Sequence, residues 1–567
     1  MTNRDQERRR RLTHRGLPAL AALAAISLAA GLLSGGQALS GDERAARDFT
    51  RASERNDYAA MHRLLSAGAQ RRFDRRELQR AYEQAAATAT SASIDALDPE
   101  GERGGRVTVP VLARTRVFGT LRRNLKLPVA DGRVEWAPHL AFPGLEPNAL
   151  LSRTSDVPDR GTLLSRDRKV IAEGPADARD SPLGPLSGSI AGSLSAEETP
   201  RERLALYARG FPRNHPVGQN GLEHAFESEL AGRPGGQLVA GGRVIARSRP
   251  RKAQPVRTTL DTKLQEAAVA ALAGRFGGIA AIDARTAEVR ALAGIAFSAP
   301  QPPGSTFKIV TTTAALEAGL VKPSTKFPVE GAATIDGVEL ENANGEFCGG
   351  SFQNSFAHSC NSVFAPLGVK VGAERLVETA ERYGFNGRPA VPGELASSLP
   401  PASQIRTPLE VGSTAIGQGK VLATPLRLAS VAQTVAAEGV LSEPTLRPRE
   451  PQERPRRVTS REVAATIERM MVDVVAYGTG TAAAIPGVKV AGKTGTAELE
   501  DTRGPVAADE PPDESNTDAW FTSYAPAGRP RIAVAVLLVR AGSGGGTAAP
   551  AARLVLEAGL RARSKAE

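Results

Sequence analysis

The chain has 567 residues, of which 41% are hydrophobic and 23% charged, so it is long enough for several domains with real cores and is not broadly disordered. Its net charge of +11 is carried by dispersed arginines. The sequence has no basic stripe with interleaved aromatic residues, which argues against a nucleic-acid partner and favours weak attraction to an anionic membrane or wall polymer.

Residues 1–40 predict a cytoplasmic tail followed by a transmembrane anchor. Arginines at positions 8–11 and 15 precede an apolar run over residues 17–33, which is at the lower limit of what spans a bilayer. The arginine cluster should stay inside, so everything after residue 40 is expected on the extracytoplasmic side. A cleaved signal peptide is the alternative, because Gly36-Gln37-Ala38 offers small residues at a cleavage site.

Residues 41–151 predict a small α+β domain. Helical spacing of apolar residues runs over 43–65 and continues over 78–87. Alternating apolar and polar residues at 105–111 and 118–129 then predict half-buried strands of an antiparallel sheet. Residues 152–255 are richer in Pro, Gly, Ser and Arg and predict only short elements, in a linker region without chemistry of its own.

Residues 256–567 predict a compact domain of strands and helices. A helix is expected from about 261 to 273, then a hairpin of 278–283 with 289–293, and a further helix over 305–316. Strands are expected at 488–492, 517–524 and 532–539, and a last helix at 552–560.

Three short motifs follow one another within this last domain. Ser305 is the only serine in the chain with a lysine three residues later, and each of the other two motifs is uninformative alone. Three such motifs in this order and at this spacing rarely occur together by coincidence. The motifs are Ser305-Thr306-Phe307-Lys308, Ser359-Cys360-Asn361 and Lys493-Thr494-Gly495-Thr496.

These motifs are the signature of serine acyltransferases that react with penicillin, and the chain resembles the class B penicillin-binding proteins. Residues 256–567 resemble their transpeptidase domain and residues 152–255 their dimerisation region. Residues 41–151 resemble the cone-shaped, nuclear-transport-factor-2-like domain of the methicillin-resistance type. The resemblance implies an α+β multidomain fold, whose catalytic part is an antiparallel sheet flanked by helices plus an all-helical subdomain.

The first and last motifs suit activation of a serine. A helix that starts at Ser305 puts Lys308 one turn further along the same face, where its amine can act as general base toward the serine hydroxyl. Lysine can lose its proton when buried, whereas arginine effectively cannot, and arginine outnumbers lysine several-fold among the 72 basic residues. Lys493 is the candidate second cation that lowers the pKa of Lys308.

The remaining motif residues are assigned to proton relay and substrate binding. Ser359 is expected to relay a proton to the leaving amine, and Asn361 to hold the substrate's amide or to orient Lys308. Thr494, Gly495 and Thr496 are expected to receive a substrate carboxylate on a strand at the edge of the cleft. The backbone N–H groups of Ser305 and Thr496 are expected to form an oxyanion hole.

The resemblance implies a membrane-bound peptidoglycan D,D-transpeptidase, a serine enzyme that crosslinks stem peptides ending in D-Ala-D-Ala and is acylated by β-lactams. It implies no cofactor and no metal, and it implies a cell-wall synthesis complex as the setting. A D,D-carboxypeptidase or a β-lactamase on the same fold is an alternative, which the large N-terminal modules disfavour. A β-lactam sensor or a non-catalytic scaffold is an alternative of another class.

Cys348 and Cys360 are the only two cysteines of the chain. An exported domain is in an oxidising environment, so we predict that they form a disulfide that closes a loop ending inside the Ser-x-Asn motif. Two buried free thiols are the alternative, because cysteine packs well as a small apolar residue.

Overall fold

The computed structural model describes residues 39–184, 188, 190–448, 455–499 and 514–563. The described residues form two compact units. The first comprises those up to Asp156 with Leu204–Pro212 and Pro234–Arg249, and the second comprises the rest. The predicted anchor at 17–33 lies outside the described residues, and no helix within them has the length and apolar character needed to cross a bilayer.

The part of the chain up to residue 258 contains mostly short elements. In chain order they are α1 (Gly41–Glu54), α2 (Tyr58–Arg63), α3 (Ala67–Arg72), α4 (Arg75–Ala89), β1 (Ser91–Ala96), β2 (Arg106–Thr115), β3 (Gly119–Ala130), β4 (Arg133–Val134), β5 (Leu151–Asp156), β6 (Leu163–Leu164), β7 (Val170–Ala172), β8 (Leu194–Ser195), α5 (Pro200–Ala208), β9 (Val217–Gly218), α6 (Gly221–Ala225), α7 (Glu227–Leu230), β10 (Gly235–Ala240), β11 (Arg243–Ser248) and β12 (Val256–Arg257).

The first unit is built from two antiparallel sheets and the helices that cover them. Strands β1 to β4 pair in sequence order, and β5, β10 and β11 form a second sheet in the order β11-β10-β5. Alternation along β2 buries Val107, Val109 and Val111, which pack with Phe49 of α1 and with Trp136 in one core. Residues 41–151 contain both helices and strands, as expected for an α+β domain. The compact unit also includes Leu204–Pro212 and Pro234–Arg249, which lie in the predicted linker region. The likeness of residues 41–151 to nuclear transport factor 2 remains a prediction.

An ionic network is buried in the second unit among the short elements. Glu223 is completely buried, and its two carboxylate oxygens accept hydrogen bonds from Arg160 and Arg179, each at 2.7 Å. Arg160 also donates to Glu227 at 2.7 Å, and Arg179 donates to the carbonyl oxygen of Gly161. Such a network tolerates burial because each charge has hydrogen-bonded partners of opposite sign.

The C-terminal part of the second unit carries longer helices and strands. In chain order they are α8 (Thr262–Leu272), β13 (Gly277–Asp283), β14 (Val289–Gly294), α9 (Lys308–Glu317), β15 (Lys326–Glu330), β16 (Ala332–Ile335), β17 (Val338–Glu341), β18 (Cys348–Ser351), α10 (Phe352–Ala357), α11 (Asn361–Val371), α12 (Ala373–Arg382), α13 (Pro408–Ala415), α14 (Pro425–Ala436), β19 (Val440–Leu441), β20 (Arg456–Arg457), α15 (Arg461–Ala476), β21 (Ala491–Glu498), β22 (Thr517–Ala525), β23 (Ile532–Leu538) and α16 (Ala549–Arg563).

A five-stranded antiparallel sheet organises this part, in the order β14-β13-β23-β22-β21. Helices α8 and α16 pack on one face around Leu264, Val555 and Leu556, and α14 packs on the other. The strand predicted at 488–492 is placed too early, because Ile485 and Val488 bridge across a tight turn and β21 begins only at Ala491. The whole Lys-Thr-Gly-Thr motif therefore lies on the edge strand.

We expect Glu223→Ala to lower the free energy of unfolding by about 3–5 kcal/mol, because it leaves two buried guanidinium groups without their shared carboxylate. Glu557→Ala on α16 is the matched control: this residue pairs with Arg553 at 2.9 Å in a more exposed setting, and its loss should cost less than about 1 kcal/mol. Denaturant titrations of both variants check the prediction. Equal losses would contradict it.

Candidate active site

The predicted nucleophile lies in a short 3₁₀ turn, Gly304–Phe307, that leads directly into α9. Ser305 is half-buried, so its hydroxyl can be approached from solvent. Gly304 has a φ of +51°, and a Cβ there would lie 2.9 Å from the carbonyl oxygen of Thr496. Its N–H donates to the carbonyl oxygen of Gly417 at 3.0 Å. Glycine at 304 thus lets the serine turn lie directly against β21.

Lys308 follows at the start of α9 and is completely buried. Its Nζ donates to the carbonyl oxygen of Ser359 at 2.6 Å, to Asn361 Oδ1 at 2.6 Å and to Ser359 Oγ at 3.3 Å. Within the described chain, the hydrogen bonds of this amine go to the Ser-x-Asn motif and not to Ser305 Oγ. Burial, together with the charge of Lys493, holds the pKa of Lys308 well below its ordinary value.

Ser359 connects the two lysines. Lys493 Nζ donates to Ser359 Oγ at 2.8 Å and to the carbonyl oxygen of Thr494 at 3.1 Å. Lys493 is also completely buried, and burial lowers its pKa to about 7. A single hydroxyl therefore lies within hydrogen-bonding distance of two amines, which suits a proton carrier because a hydroxyl can accept one proton while it donates another.

The backbone at Ser359 is unusual for a side chain of this size. Its φ is +61°, in the left-handed region that only glycine enters freely. The residue is the middle one of the three that connect α10 to α11, with His358 before it and Cys360 after it. Strained conformations cluster at functional sites, although in this chain a positive φ also occurs at residues outside the motifs, such as Asn56 and Thr90.

Asn361 is the first residue of α11 and has its carboxamide fixed from both sides. Its Oδ1 accepts from Lys308 Nζ, and its Nδ2 donates to the carbonyl oxygen of Glu341 at 2.7 Å. Only this orientation of the amide satisfies an ammonium donor and a carbonyl acceptor together. Of the two tasks predicted for Asn361, the geometry supports the orientation of Lys308.

Cys348 at the start of β18 is joined to Cys360 by a disulfide in the structure, with 5.8 Å between the Cα atoms. Both residues are buried. The bond links β18 to the residue between Ser359 and Asn361, and it is the disulfide predicted from the chain's two cysteines and the oxidising environment of an exported domain.

On β21 the two threonines of the last motif point away from Lys493. Thr494 Oγ1 lies 2.6 Å from Thr479 Oγ1, and Thr496 Oγ1 accepts from the backbone N–H of Gly544 at 3.3 Å. Thr479 was not recognised from the sequence. Its only signal was its place between Gly478 and Gly480, shortly before the last motif, which reads as an ordinary loop.

Gly495 has a further task beyond the one predicted. A Cβ at this position would lie 2.8 Å from the carbonyl oxygen of Pro303 and 3.0 Å from both Thr306 Cγ2 and Trp520 Cβ. The missing side chain therefore lets the edge strand pack against the nucleophile turn. Trp520 supports the same contact from β22, since its indole N–H donates to the carbonyl oxygen of Pro302 at 2.8 Å.

The site thus combines a reachable serine, two buried amines of lowered pKa, a hydroxyl between them and two threonines on an edge strand. Ser305, Lys308, Ser359, Asn361, Lys493, Thr494, Gly495 and Thr496, all predicted from the sequence, come together. No group of three or more His, Cys, Asp or Glu side chains suited to a metal ion occurs in the described part of the chain.

Comparison with known proteins defines the class of this chain. Residues 277–557 match the transpeptidase domain of penicillin-binding proteins, and residues 165–258 match their dimerisation domain. Peptidoglycan D,D-transpeptidase PbpA of Mycolicibacterium smegmatis is 37% identical over 290 residues, which cover 47% of this chain and 56% of that protein. The match thus spans little more than half the length of this relative.

Many solved structures resemble the chain, and two of them illustrate the likeness. The D,D-transpeptidase domain of a peptidoglycan glycosyltransferase from Eggerthella lenta has a TM-score of 0.58 and 28% identity, covering 72% of this chain and 99% of that one. Penicillin-binding protein A of M. tuberculosis, solved as a ceftriaxone acyl-enzyme complex, has a TM-score of 0.56 and 25% identity, covering 71% and 98%.

A dimerisation domain followed by a transpeptidase domain is the class B penicillin-binding-protein architecture, and the chain has that architecture. It is homologous to the PbpA-type D,D-transpeptidases. The class predicted from the three motifs is confirmed.

We expect the full-length chain, denatured without reductant and treated with an alkylating agent, to take up no label at Cys348 or Cys360. Reduction before alkylation should give two labelled thiols and should lower the free energy of unfolding by about 3 kcal/mol, since the bond closes a short loop in the unfolded chain. Mass measurement decides between the alternatives, because two labels without reduction would mean that the thiols are free.

Proposed function

We propose that this chain is a peptidoglycan D,D-transpeptidase that forms an acyl-enzyme on Ser305 and is acylated at the same residue by β-lactams. The observation that carries the proposal is the pair of buried amines, Lys308 and Lys493, around the hydroxyl of Ser359 and next to the serine turn. A surface lysine would be an ammonium at neutral pH, whereas these two have lowered pKa values and can exchange protons.

In the acylation step, Ser305 Oγ attacks the carbonyl carbon of the D-Ala-D-Ala bond, and the serine proton passes to the neutral amine of Lys308. The backbone N–H groups of Ser305 and Thr496 stabilise the oxyanion that forms on the carbonyl oxygen. Support for this pairing comes from Gly304, whose contact with Thr496 brings the two backbones side by side.

Collapse of the tetrahedral intermediate breaks the C–N bond and leaves the ester on Ser305. The departing D-Ala amine takes a proton from Ser359 Oγ, which regains one from the Lys308 ammonium 3.3 Å away. An amine of a neighbouring stem peptide then attacks the ester, forms the crosslink and returns a proton to Ser305. Water in place of that amine would make the chain a D,D-carboxypeptidase or, with a β-lactam, a β-lactamase.

We assign the substrate's terminal carboxylate to Thr494, Gly495 and Thr496, and the Lys493 ammonium on the same strand adds a positive potential that attracts it. The threonine hydroxyls can donate to its oxygens, and Thr479 can in turn donate to Thr494, since their oxygens lie 2.6 Å apart. A β-lactam carries a carboxylate in the corresponding place. We also assign the chain to the cell membrane through residues 17–33, with the catalytic domain outside and a wall-synthesis complex as its setting.

The test uses the full-length chain in detergent with a labelled penicillin and a stem-peptide donor. Peptide mapping should place the penicillin adduct on Ser305, and the donor should give crosslinked product in the presence of an acceptor amine. Hydrolysed donor without crosslinks would support a D,D-carboxypeptidase. Rapid loss of the penicillin adduct would support a β-lactamase. A stable adduct without turnover of the donor would support a sensor or a non-catalytic scaffold.

We expect Ser305→Ala to abolish penicillin labelling and to leave the melting temperature nearly unchanged, because the hydroxyl supports no described hydrogen bond of the fold. Ser403→Ala, at an exposed serine in the short 3₁₀ helix Ala402–Gln404 of the same domain, is the control and should label normally. Gel fluorescence and thermal unfolding are the measurements. Labelling that survives in the alanine variant would rule out Ser305 as nucleophile.

Lys308→Arg should be nearly as damaging to acylation as Lys308→Ala, because arginine keeps a positive charge but cannot serve as a base. A loss on the order of a hundredfold or more in the acylation rate is expected for both variants. Lys322→Arg, at an exposed lysine, controls for the substitution itself. If the arginine variant at 308 acylates readily, the role of Lys308 is electrostatic only.

Acylation by penicillin should weaken as the pH rises through about 7, the pKa of Lys493. Below that pH Lys493 is an ammonium that attracts the carboxylate, and above it the amine is neutral. The pKa of Lys308 is also held well below its ordinary value, by burial and by the charge of Lys493. A thioester donor without a carboxylate should lack this loss, and identical profiles for the two substrates would contradict the assignment of Lys493.

A further inference from the structure

The helix that carries Asn361 has no cap of its own. Its N-cap residue is Cys360, whose side chain makes no capping hydrogen bond and is joined to Cys348. The first N–H groups of a helix have no partner within the helix and need an acceptor from elsewhere. Here the acceptor comes from a distant segment: the N–H of Ser362 donates to Asn342 Oδ1 at 2.9 Å.

Asn342 uses every polar atom of its side chain at this point. The residue is 4% exposed, and its Nδ2 donates to the carbonyl oxygens of Glu330 and Glu346, both at 2.8 Å. Its backbone N–H donates to the carbonyl oxygen of Gly331 at 2.8 Å. One buried carboxamide therefore ties the end of β15, the turn before β18 and the first turn of α11 together. An acceptor in place of Nδ2 would face two carbonyl oxygens, so the amide orientation is fixed.

The residue before Asn342 contacts Asn361 itself. The carbonyl oxygen of Glu341 accepts from Asn361 Nδ2 at 2.7 Å, which leaves Asn361 Oδ1 for Lys308 Nζ at 2.6 Å. Two consecutive residues, 341 and 342, thus meet two consecutive residues, 361 and 362. Without the hydrogen bond between Asn342 and Ser362, the two segments would be held together less firmly. Asn361 could then rotate its amide away from Lys308.

The geometry points to Asn342 as a positioning residue for acylation, acting through Asn361 on the amine of Lys308. The inference rests on the proposed function, since it assumes that Lys308 serves the chemistry at Ser305. Asn342 itself touches neither Ser305 nor either lysine by any described hydrogen bond. Its effect should therefore fall on the rate of the chemical step and not on the binding of the β-lactam.

The experiment measures acylation of the full-length chain by a fluorescent penicillin at rising concentrations, which separates the maximal acylation rate from the half-saturating concentration. Asn342→Ala should lower the maximal rate on the order of tenfold, the value of about one hydrogen bond, with little change in half-saturation. Gln265→Ala is the matched control. This carboxamide is 3% exposed and also bridges backbone groups, the N–H and carbonyl of Leu292 on β14, the edge strand opposite β21.

Both variants should lose thermal stability, but only Asn342→Ala should lose acylation rate. A second comparison uses Asn361→Ala with and without Asn342→Ala. If Asn342 acts through Asn361, the second substitution should add little to the loss already caused by the first. The inference would be overturned if the fold-loss in maximal rate of the double variant equalled the product of the two single fold-losses. An unchanged maximal rate in Asn342→Ala would also overturn it.

Asn342→Asp keeps an oxygen for the N–H of Ser362 but loses the donor to Glu330 and Glu346. It should acylate faster than the alanine variant although it is the less stable of the two, because its second oxygen faces two carbonyl oxygens. If the alanine variant does not fold, Asn342→Ser, which keeps a hydroxyl oxygen at this place, is measured instead. An aspartate variant no faster than alanine would overturn the role of the capping oxygen. All these measurements assume that penicillin labels Ser305. If the proposed function is wrong, the Ser305→Ala variant will still form an adduct, and this result is independent of the measurements on Asn342.

Discussion

The burial of two lysine amines around one serine hydroxyl is the constraint on which the catalytic domain depends. Two ammonium groups could not share this space, since burial and mutual repulsion both disfavour charge. The lowered pKa values of Lys308 and Lys493 resolve the conflict by letting a proton leave. Burial therefore favours the neutral form of a lysine amine, and the neutral amine is the form that can take a proton from a nucleophile.

Three segments distant in sequence must meet closely for this to happen: the turn before α9, the connection between α10 and α11, and β21. Besides the side-chain hydrogen bonds of the two lysines, several contacts between these segments involve the backbone. Gly304 and Gly495 lack the side chains that would separate the serine turn from the edge strand, and Lys308 donates to the carbonyl oxygen of Ser359 as well as to side chains. Packing of this kind leaves little freedom, which favours the fixed geometry that proton transfer requires.

The sequence predicted the reacting groups well, because their chemistry depends on residue type and short spacing. Ser305, Lys308, Ser359, Asn361 and Lys493 could be named for that reason. Thr479 and Asn342 could not, because a threonine or asparagine in a loop looks the same whether it faces solvent or a partner far away in sequence. Likewise, the alternating pattern indicated a strand near 490, but the turn that delays it to Ala491 depends on a contact between Ile485 and Val488.

The positive φ of Ser359 has a consequence for how such a site can change over generations. Glycine would adopt this backbone without the penalty of about 1–2 kcal/mol that a serine incurs there. Backbone strain alone would therefore favour exchanging this serine for glycine, which would remove the hydroxyl between the two amines. The hydrogen bonds that this hydroxyl makes with Lys493 and Lys308 oppose the exchange, and so does a requirement for turnover, so the serine is kept against the preference of its own backbone.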